Sequence, residues 1–116
     1  MPSLTTQDYR HFENKLYLPM LITILERDTA LFEKLPFKLR RPYLALVDKA
    51  LSAIRADLKA TDIYLVRRNM RLVADVPGDE FTNYTFISAG YEEHKRYTAV
   101  QLRTRAEEML GTYLIK

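Results

Sequence analysis

The chain has no cysteine, no tryptophan and only three glycines. Without cysteine there is no disulfide, no thiolate metal site and no thiol nucleophile, which fits a reducing, cytoplasmic setting. Few glycines, with five prolines, leave little material for glycine-rich phosphate loops and favour long regular elements. Serine is also scarce. Ser3, Ser52 and Ser88 lack the strand–turn–helix setting of a catalytic serine. No uncharged run is long enough to span a bilayer. Leu16 to Leu25 is about half a span, flanked by Glu13, Lys15, Glu26, Arg27 and Asp28. The segment from Met1 to Asp8 lacks the basic and apolar regions of a signal peptide. The net charge of +3 is too small to imply nucleic acid by itself.

What remains is a chain of 116 residues, 47% hydrophobic and 28% charged. That is enough for one domain, 1–116, with a real core. The strongest pattern is a heptad ladder: Leu44, Val47, Leu51, Ile54, Leu58 and Leu65, interrupted only by Thr61. Steps of three and four place these side chains on one stripe of a long helix, and such a stripe must be covered by other helices. Pro42 suits the first turn of this helix, which should run to about Asn69.

Before it, Thr5 or Thr6 can cap a first helix, with Asp8 near its positive end. Tyr9, Phe12 and Leu16 share a face. Pro19 should kink the helix. Beyond it Met20, Ile24, Leu31 and Leu35 form one row, with Leu21, Leu25 and Phe32 beside it. This wide apolar face implies burial on two sides, by neighbouring helices or by a second subunit. Pro36 to Pro42 forms the first connector. Arg71 to Val76 reads as a last helical turn or an extended connector ended by Pro77-Gly78. Asp79 and Glu80 then open a third helix through Phe81, Tyr84, Ile87 and Tyr91, with Gly90 as a close helix crossing or a local break. A fourth helix runs from about Thr98 to Leu114, with Leu102, Ala106, Met109, Leu110 and Tyr113 inward. It is either separate from the third or nearly continuous with it.

The expected fold is therefore all-α: an up-and-down four-helix bundle with a proline-kinked first helix. Its expected core is Phe12, Leu16, Ile24, Leu25, Val47, Leu51, Ile54, Leu58, Phe81, Tyr84, Ile87, Leu102, Ala106, Met109 and Leu110.

Three constellations bear on chemistry. Glu26, Asp28, Glu92, Glu93 and His94 are weak metal-ligand candidates. A di-iron bundle needs Glu-x-x-His on two helices. Tyr91 precedes His94 by three residues, and Asp8-x-x-His11 lies at a helix start expected to fray. Solvated Glu92 and Glu93, with His94 bordering a loop, is the simpler expectation, and no cofactor is implied. Lys38, Arg40 and Arg41 lie at one end of the second helix, and Arg67, Arg68 and Arg71 at the other, roughly 40 Å away. Lys95, Arg96, Arg103 and Arg105 add charge near the fourth helix. Lys38, Arg40, Arg41, Lys95 and Arg96 are the weak candidates for phosphate or nucleic acid. Eight tyrosines, among them Tyr84, Tyr91, Tyr97 and Tyr113, suit a semi-buried core with rim hydroxyls, or an interface.

Leu16-Tyr17-Leu18-Pro19-Met20, Ile24-Leu25-Glu26-Arg27-Asp28, Pro36-Phe37-Lys38-Leu39 and Gly90-Tyr91-Glu92-Glu93-His94 together resemble a group of small, uncharacterised, all-helical proteins of Bacillus and related Firmicutes. The resemblance spans nearly the whole chain. It implies a bacterial cytosolic protein of unknown activity and carries over no functional residue. The expected function is a non-enzymatic helical interaction or adaptor protein, homodimeric through the wide face around Leu16 to Leu25. The alternatives are a nucleic-acid or phosphate binder using the basic helix ends, and a carboxylate/histidine metal-binding bundle. No membrane association is expected.

Overall fold

A computed structural model describes residues 4–36, 38–75 and 80–115. The elements run α1 (Thr6–Lys34), α2 (Arg40–Arg67), β1 (Met70–Ala74), β2 (Phe81–Ser88), β3 (Tyr91–Thr98) and α3 (Ala99–Ile115). The fold is α+β: three helices and one three-stranded antiparallel sheet of order β1-β2-β3. The all-α four-helix bundle is therefore wrong. The segment expected as a third helix is a β-hairpin. The proposed end at Pro77-Gly78 and the helix opening at Asp79 lie outside the described residues.

The first two helices form as their sequences suggest. Thr5 caps α1 in a reciprocal box: its hydroxyl accepts from the Asp8 N–H at 3.1 Å, and the Asp8 carboxylate accepts from the Thr5 N–H at 2.9 Å. α1 continues through Pro19 as one element. Pro19 itself is exposed, and its ring removes one backbone donor from the helix. On α2, Leu51, Ile54, Thr61 and Leu65 are buried, and Leu44, Val47 and Leu58 half-buried. The ladder faces α1, with Leu16, Leu18, Leu21 and Leu25 in the shared core.

α2 ends at Arg67 with Arg68 as its cap, followed by Asn69 in the left-handed region at φ 53°, a conformation asparagine tolerates. The chain then turns into β1. Between β2 and β3 only Ala89 and Gly90 intervene, because Ser88 pairs with Tyr91. Both have positive φ, 45° and 88°, as a two-residue type I′ hairpin turn requires. Gly90 is thus the local break, not a helix crossing. α3 begins where a helix was expected. Thr98 and Gln101 form a second reciprocal box, at 2.8 and 3.1 Å.

The sheet lies against the α1 start and the α2 end. Phe12 and Phe86 stack with ring centroids 4.5 Å apart, in a cluster with Leu65 and Met70. The main core joins α1, α2 and α3 through Leu16, Tyr17, Leu21, Leu25, Leu51, Ile54, Ala106 and Met109. Two expected groups of core residues move outward. Ile24 is 40% exposed. Phe81 and Ile87 are half-buried on the sheet face opposite Tyr84 and Phe86.

Candidate functional sites

Two features stand out: an uncovered helical hairpin, and a polar groove where the three helices meet. The hairpin is the far part of α1 and the near part of α2. Leu25 and Ala50 are the last buried residues before it, and no described residue from 26 to 49 is buried. Leu31 (53% exposed), Leu35 (45%), Leu39 (75%), Tyr43 (56%) and Leu46 (42%) lie open. Leu25, Thr29 and Phe32 follow the row of α1 that meets α2. Leu44 and Val47 follow the row of α2 that meets α1. A helix turns about 100° per residue, so a residue just before a contact position points to one flank. Reversing one helix and turning it to face the other puts that flank on the same side for both. Leu31 precedes Phe32, Tyr43 precedes Leu44 and Leu46 precedes Val47, so the exposed residues share one side. Ile24, on the same flank, lies beside Ala99, Leu102 and Ala106 in an apolar cleft of about 430 Å³ between α1 and α3. The exposed stripe is therefore the continuation of the face that α3 covers nearer the sheet.

The groove is built around Thr61, the polar member of the apolar ladder. Thr61 is fully buried. Its hydroxyl oxygen accepts from Asn14 Nδ2 at 3.1 Å and lies 3.0 Å from His11 Nδ1. The His11 ring stacks on Tyr64 at 3.8 Å. The Tyr64 hydroxyl donates to Asp8 at 2.6 Å, and the Arg68 guanidinium lies over that ring, 4.5 Å from its centre. Above Thr61 opens a space of about 510 Å³ reaching Arg10 on α1, Asp57 on α2, and Arg105 and Tyr113 on α3. Arg105 holds Glu13 with two hydrogen bonds, 2.8 and 2.7 Å, and Glu108 with a third at 3.0 Å. The Tyr113 hydroxyl donates to Asp57 at 2.5 Å.

Electrostatics follow from these contacts. Burial, then the nearby Arg10 charge, lower the His11 pKa and so favour its neutral ring. Burial and the Asp57 hydrogen bond push the Tyr113 hydroxyl well above the usual tyrosine range. Burial alone would raise the Asp8 carboxyl. The hydrogen bonds from Tyr64 and Thr5, with Arg68 nearby, outweigh it and hold that carboxyl below the ordinary range.

The candidates expected from sequence are scattered. Glu26 pairs with Arg55 at 3.1 Å, and Asp28 is exposed on the hairpin. Glu92 and His94 are on the outer sheet face, where His94 Nδ1 meets the Thr85 hydroxyl at 3.0 Å. Glu93, expected in solvent, is half-buried and accepts from the Tyr9 hydroxyl at 2.7 Å. That bond drives Tyr9 up to about 12. From Tyr9 to Glu26 along α1 is roughly 25 Å, so these two acidic groups do not converge. Among the described residues no cluster of metal-ligating side chains forms. The helix start carrying Asp8 and His11, expected to fray, is instead capped, with Asp8 buried.

The basic candidates separate as well. Lys38, Arg40 and Arg41 are at the hairpin tip, where Arg40 donates to the Glu33 carbonyl at 2.6 Å. Lys95 and Arg96 lie on β3, on opposite sheet faces: Lys95 over Tyr9 at 5.5 Å, Arg96 over Phe81 at 4.9 Å. Sequence reasoning did not single out Arg10, Asn14 or Asp57. The available signal was Thr61, the one hydroxyl in the ladder.

The family model described as YhjD protein matches residues 3–116. The chain belongs to the YhjD family. It is 37% identical over 114 residues to Uncharacterized protein YhjD of Bacillus subtilis (strain 168), covering 98% of this chain and 95% of that one. This agrees with the Bacillus resemblance in the sequence, except that the fold contains a sheet and is not all-helical. No solved structure matches the chain. Among the described residues no helix is long and apolar enough to cross a membrane.

Proposed function

We propose that this protein is a non-enzymatic interaction module of the cytoplasm that self-associates through the tip of the α1–α2 hairpin. The observation that carries this reading is the single-sided stripe of Leu31, Leu35, Leu39, Tyr43 and Leu46. The wide face expected from sequence around Leu16 to Leu25 does not serve, because Leu16, Tyr17, Leu18, Leu21 and Leu25 are buried within the chain. The apolar excess lies further along.

A second copy suits this surface in size. Covering the stripe on both copies removes on the order of 1,000 Å² from water, near the lower limit for a specific interface. α3 occupies the same face nearer the sheet. Two copies therefore overlap at their tips with their bodies pointing apart, in a symmetric four-helix contact. Leu31→Glu with Tyr43→Glu tests it. Both positions are exposed in one copy, so the fold should persist. Sedimentation should show a dimer for the parent chain and a folded monomer for the variant. A parent chain that stays monomeric at high concentration refutes the reading.

A further inference from the structure

We propose that, in the self-associated form on which this inference rests, the cleft between α1 and α3 is the socket for the second copy's hairpin tip, with Leu39 of each chain entering the cleft of the other. The cleft of about 430 Å³ is lined by Ile24, Leu102, Ala106 and Leu110, with Arg103 and Glu107 on the α3 side. Those two charges have opposite sign, and neither makes an ion pair among the described residues. The walls are thus apolar and neutral overall, which suits an uncharged side chain.

Leu39 is placed for such a contact and for little else. It is the N-cap of α2 and makes no side-chain cap hydrogen bond. Leucine is among the poorest residues at that position, where Asn, Asp or Ser would stabilise the helix start. At 75% exposed it gains little from packing within its own chain. It breaks the capping rule and the burial rule at once. A second copy that covers the side chain accounts for both.

Length and charge set the register. α1 from Ile24 in the cleft to its end at Lys34 is roughly 15 Å long. Two copies with bodies pointing apart run their hairpins antiparallel about a twofold axis. They can slide together until each tip meets the other's α3. At that stop the axis lies near Leu31, and each tip has reached the other's cleft. The tip carries Lys34, Lys38, Arg40 and Arg41 against Glu33 alone. A shallower overlap would set two such clusters side by side. Full overlap holds them roughly 15 Å apart, beyond the Debye length of about 8 Å. Each tip then lies beside the root of the other's stripe, where Asp28 and Glu107 balance Arg27 and Arg103. Full overlap also adds the cleft walls to an interface that the stripe alone leaves near the lower limit.

The chain has no cysteine, so introduced thiols report alone. Sedimentation of the parent establishes self-association, and Ile24→Cys with Leu39→Cys under mild oxidation reads the register. Within one chain these positions are roughly 15 Å or more apart, too far for a disulfide. The expected result is a covalent dimer from the pair and none from Leu39→Cys alone. A covalent dimer from Leu39→Cys alone marks a shallow overlap and overturns the socket. Leu39→Asp gives an independent reading. It improves the α2 cap and should weaken dimerisation about tenfold or more, with the urea resistance of the monomer undiminished. Unchanged dimerisation of Leu39→Asp overturns the proposal. So does a paired-thiol variant that sediments as a dimer yet does not cross-link. In both cases self-association itself stands, whereas a monomeric parent overturns the two together.

Discussion

Replacing Thr61 with valine separates a structural cost from a sequence preference. The side chain keeps its shape and loses one oxygen. That oxygen is fully buried and serves Asn14 at 3.1 Å and His11 at 3.0 Å. A buried polar group left without a partner costs roughly 1–3 kcal/mol. Asn14 and His11 are half-buried, so solvent recovers part of this, and the low end applies. Thr61→Val should therefore lower stability by about 1–2 kcal/mol, or roughly 5–10 °C in Tm at this chain length. Removing all three partners is a different matter. Thr61→Leu with His11→Leu and Asn14→Leu leaves nothing unsatisfied, and apolar replacement of a whole network is near neutral or stabilising. Urea unfolding followed by far-UV circular dichroism, at one fixed protein concentration, gives both values. If the single variant matches the parent, or the triple variant falls as far as the single one, the hydroxyl does not organise its neighbours.

The remaining predictions concern the hairpin turn and the helix start. Ala89 stands at φ 45°, so Ala89→Asn should stabilise by about 0.5–1 kcal/mol, whereas Gly90→Ala, at φ 88°, should cost about 1–2 kcal/mol; thermal melts of the two variants should move in opposite directions. Asp8 is held below its unfolded value, so it contributes stability above the unfolded pKa of about 3.9 that is lost as pH falls through the folded one. Asp8→Asn should cost most near neutral pH, with its difference from the parent shrinking below about pH 4; a difference that is flat from pH 7 to pH 3 contradicts the assignment. His11 is likewise depressed, so the parent should lose stability as pH drops below about 6.5, and His11→Leu should flatten that part of the profile.

The helices were legible because they carry their signals locally. Thr5 and Asp8 mark the start of α1, the heptad of Leu51, Ile54 and Leu65 marks α2, and the inward row of Leu102, Ala106 and Met109 marks α3. The sheet was misread because both of its faces hold apolar residues. On β2, Phe81 and Ile87 point outward while Tyr84 and Phe86 point inward. Phe81, Tyr84 and Ile87 therefore imitate helical spacing, and no clean alternation appears. The density of aromatic and β-branched residues in Phe81-Thr82-Asn83-Tyr84-Thr85-Phe86-Ile87 was the better guide. β3, reading Tyr-Glu-Glu-His-Lys-Arg-Tyr-Thr, declares itself only through its pairing with β2. The groove was hidden for a related reason: its members come from three helices, and no linear motif joins Arg10, Thr61 and Tyr113.

Local rules are broken in two regions of this chain, and the two breaks have opposite sense. Thr61 places a hydroxyl where the ladder asks for an apolar group. Leu39 and Tyr43 place apolar groups where an uncovered hairpin asks for polar ones. A sequence optimised only for stability in isolation would exchange them, since burying a leucine and exposing a hydroxyl are both favourable. The first break organises the walls of the groove between the three helices, through Asn14 and His11. The second leaves a stripe as broad as a small interface. The breaks lie at different heights along the same α1–α2 pair, so substitutions in one need not disturb the other. Leu31→Glu with Tyr43→Glu should abolish self-association while leaving intact the loss of stability below about pH 6.5 that His11 sets. His11→Leu should do the reverse. Loss of both properties in either variant would mean that tip and groove form one cooperative unit, and the assignment of separate roles would fail.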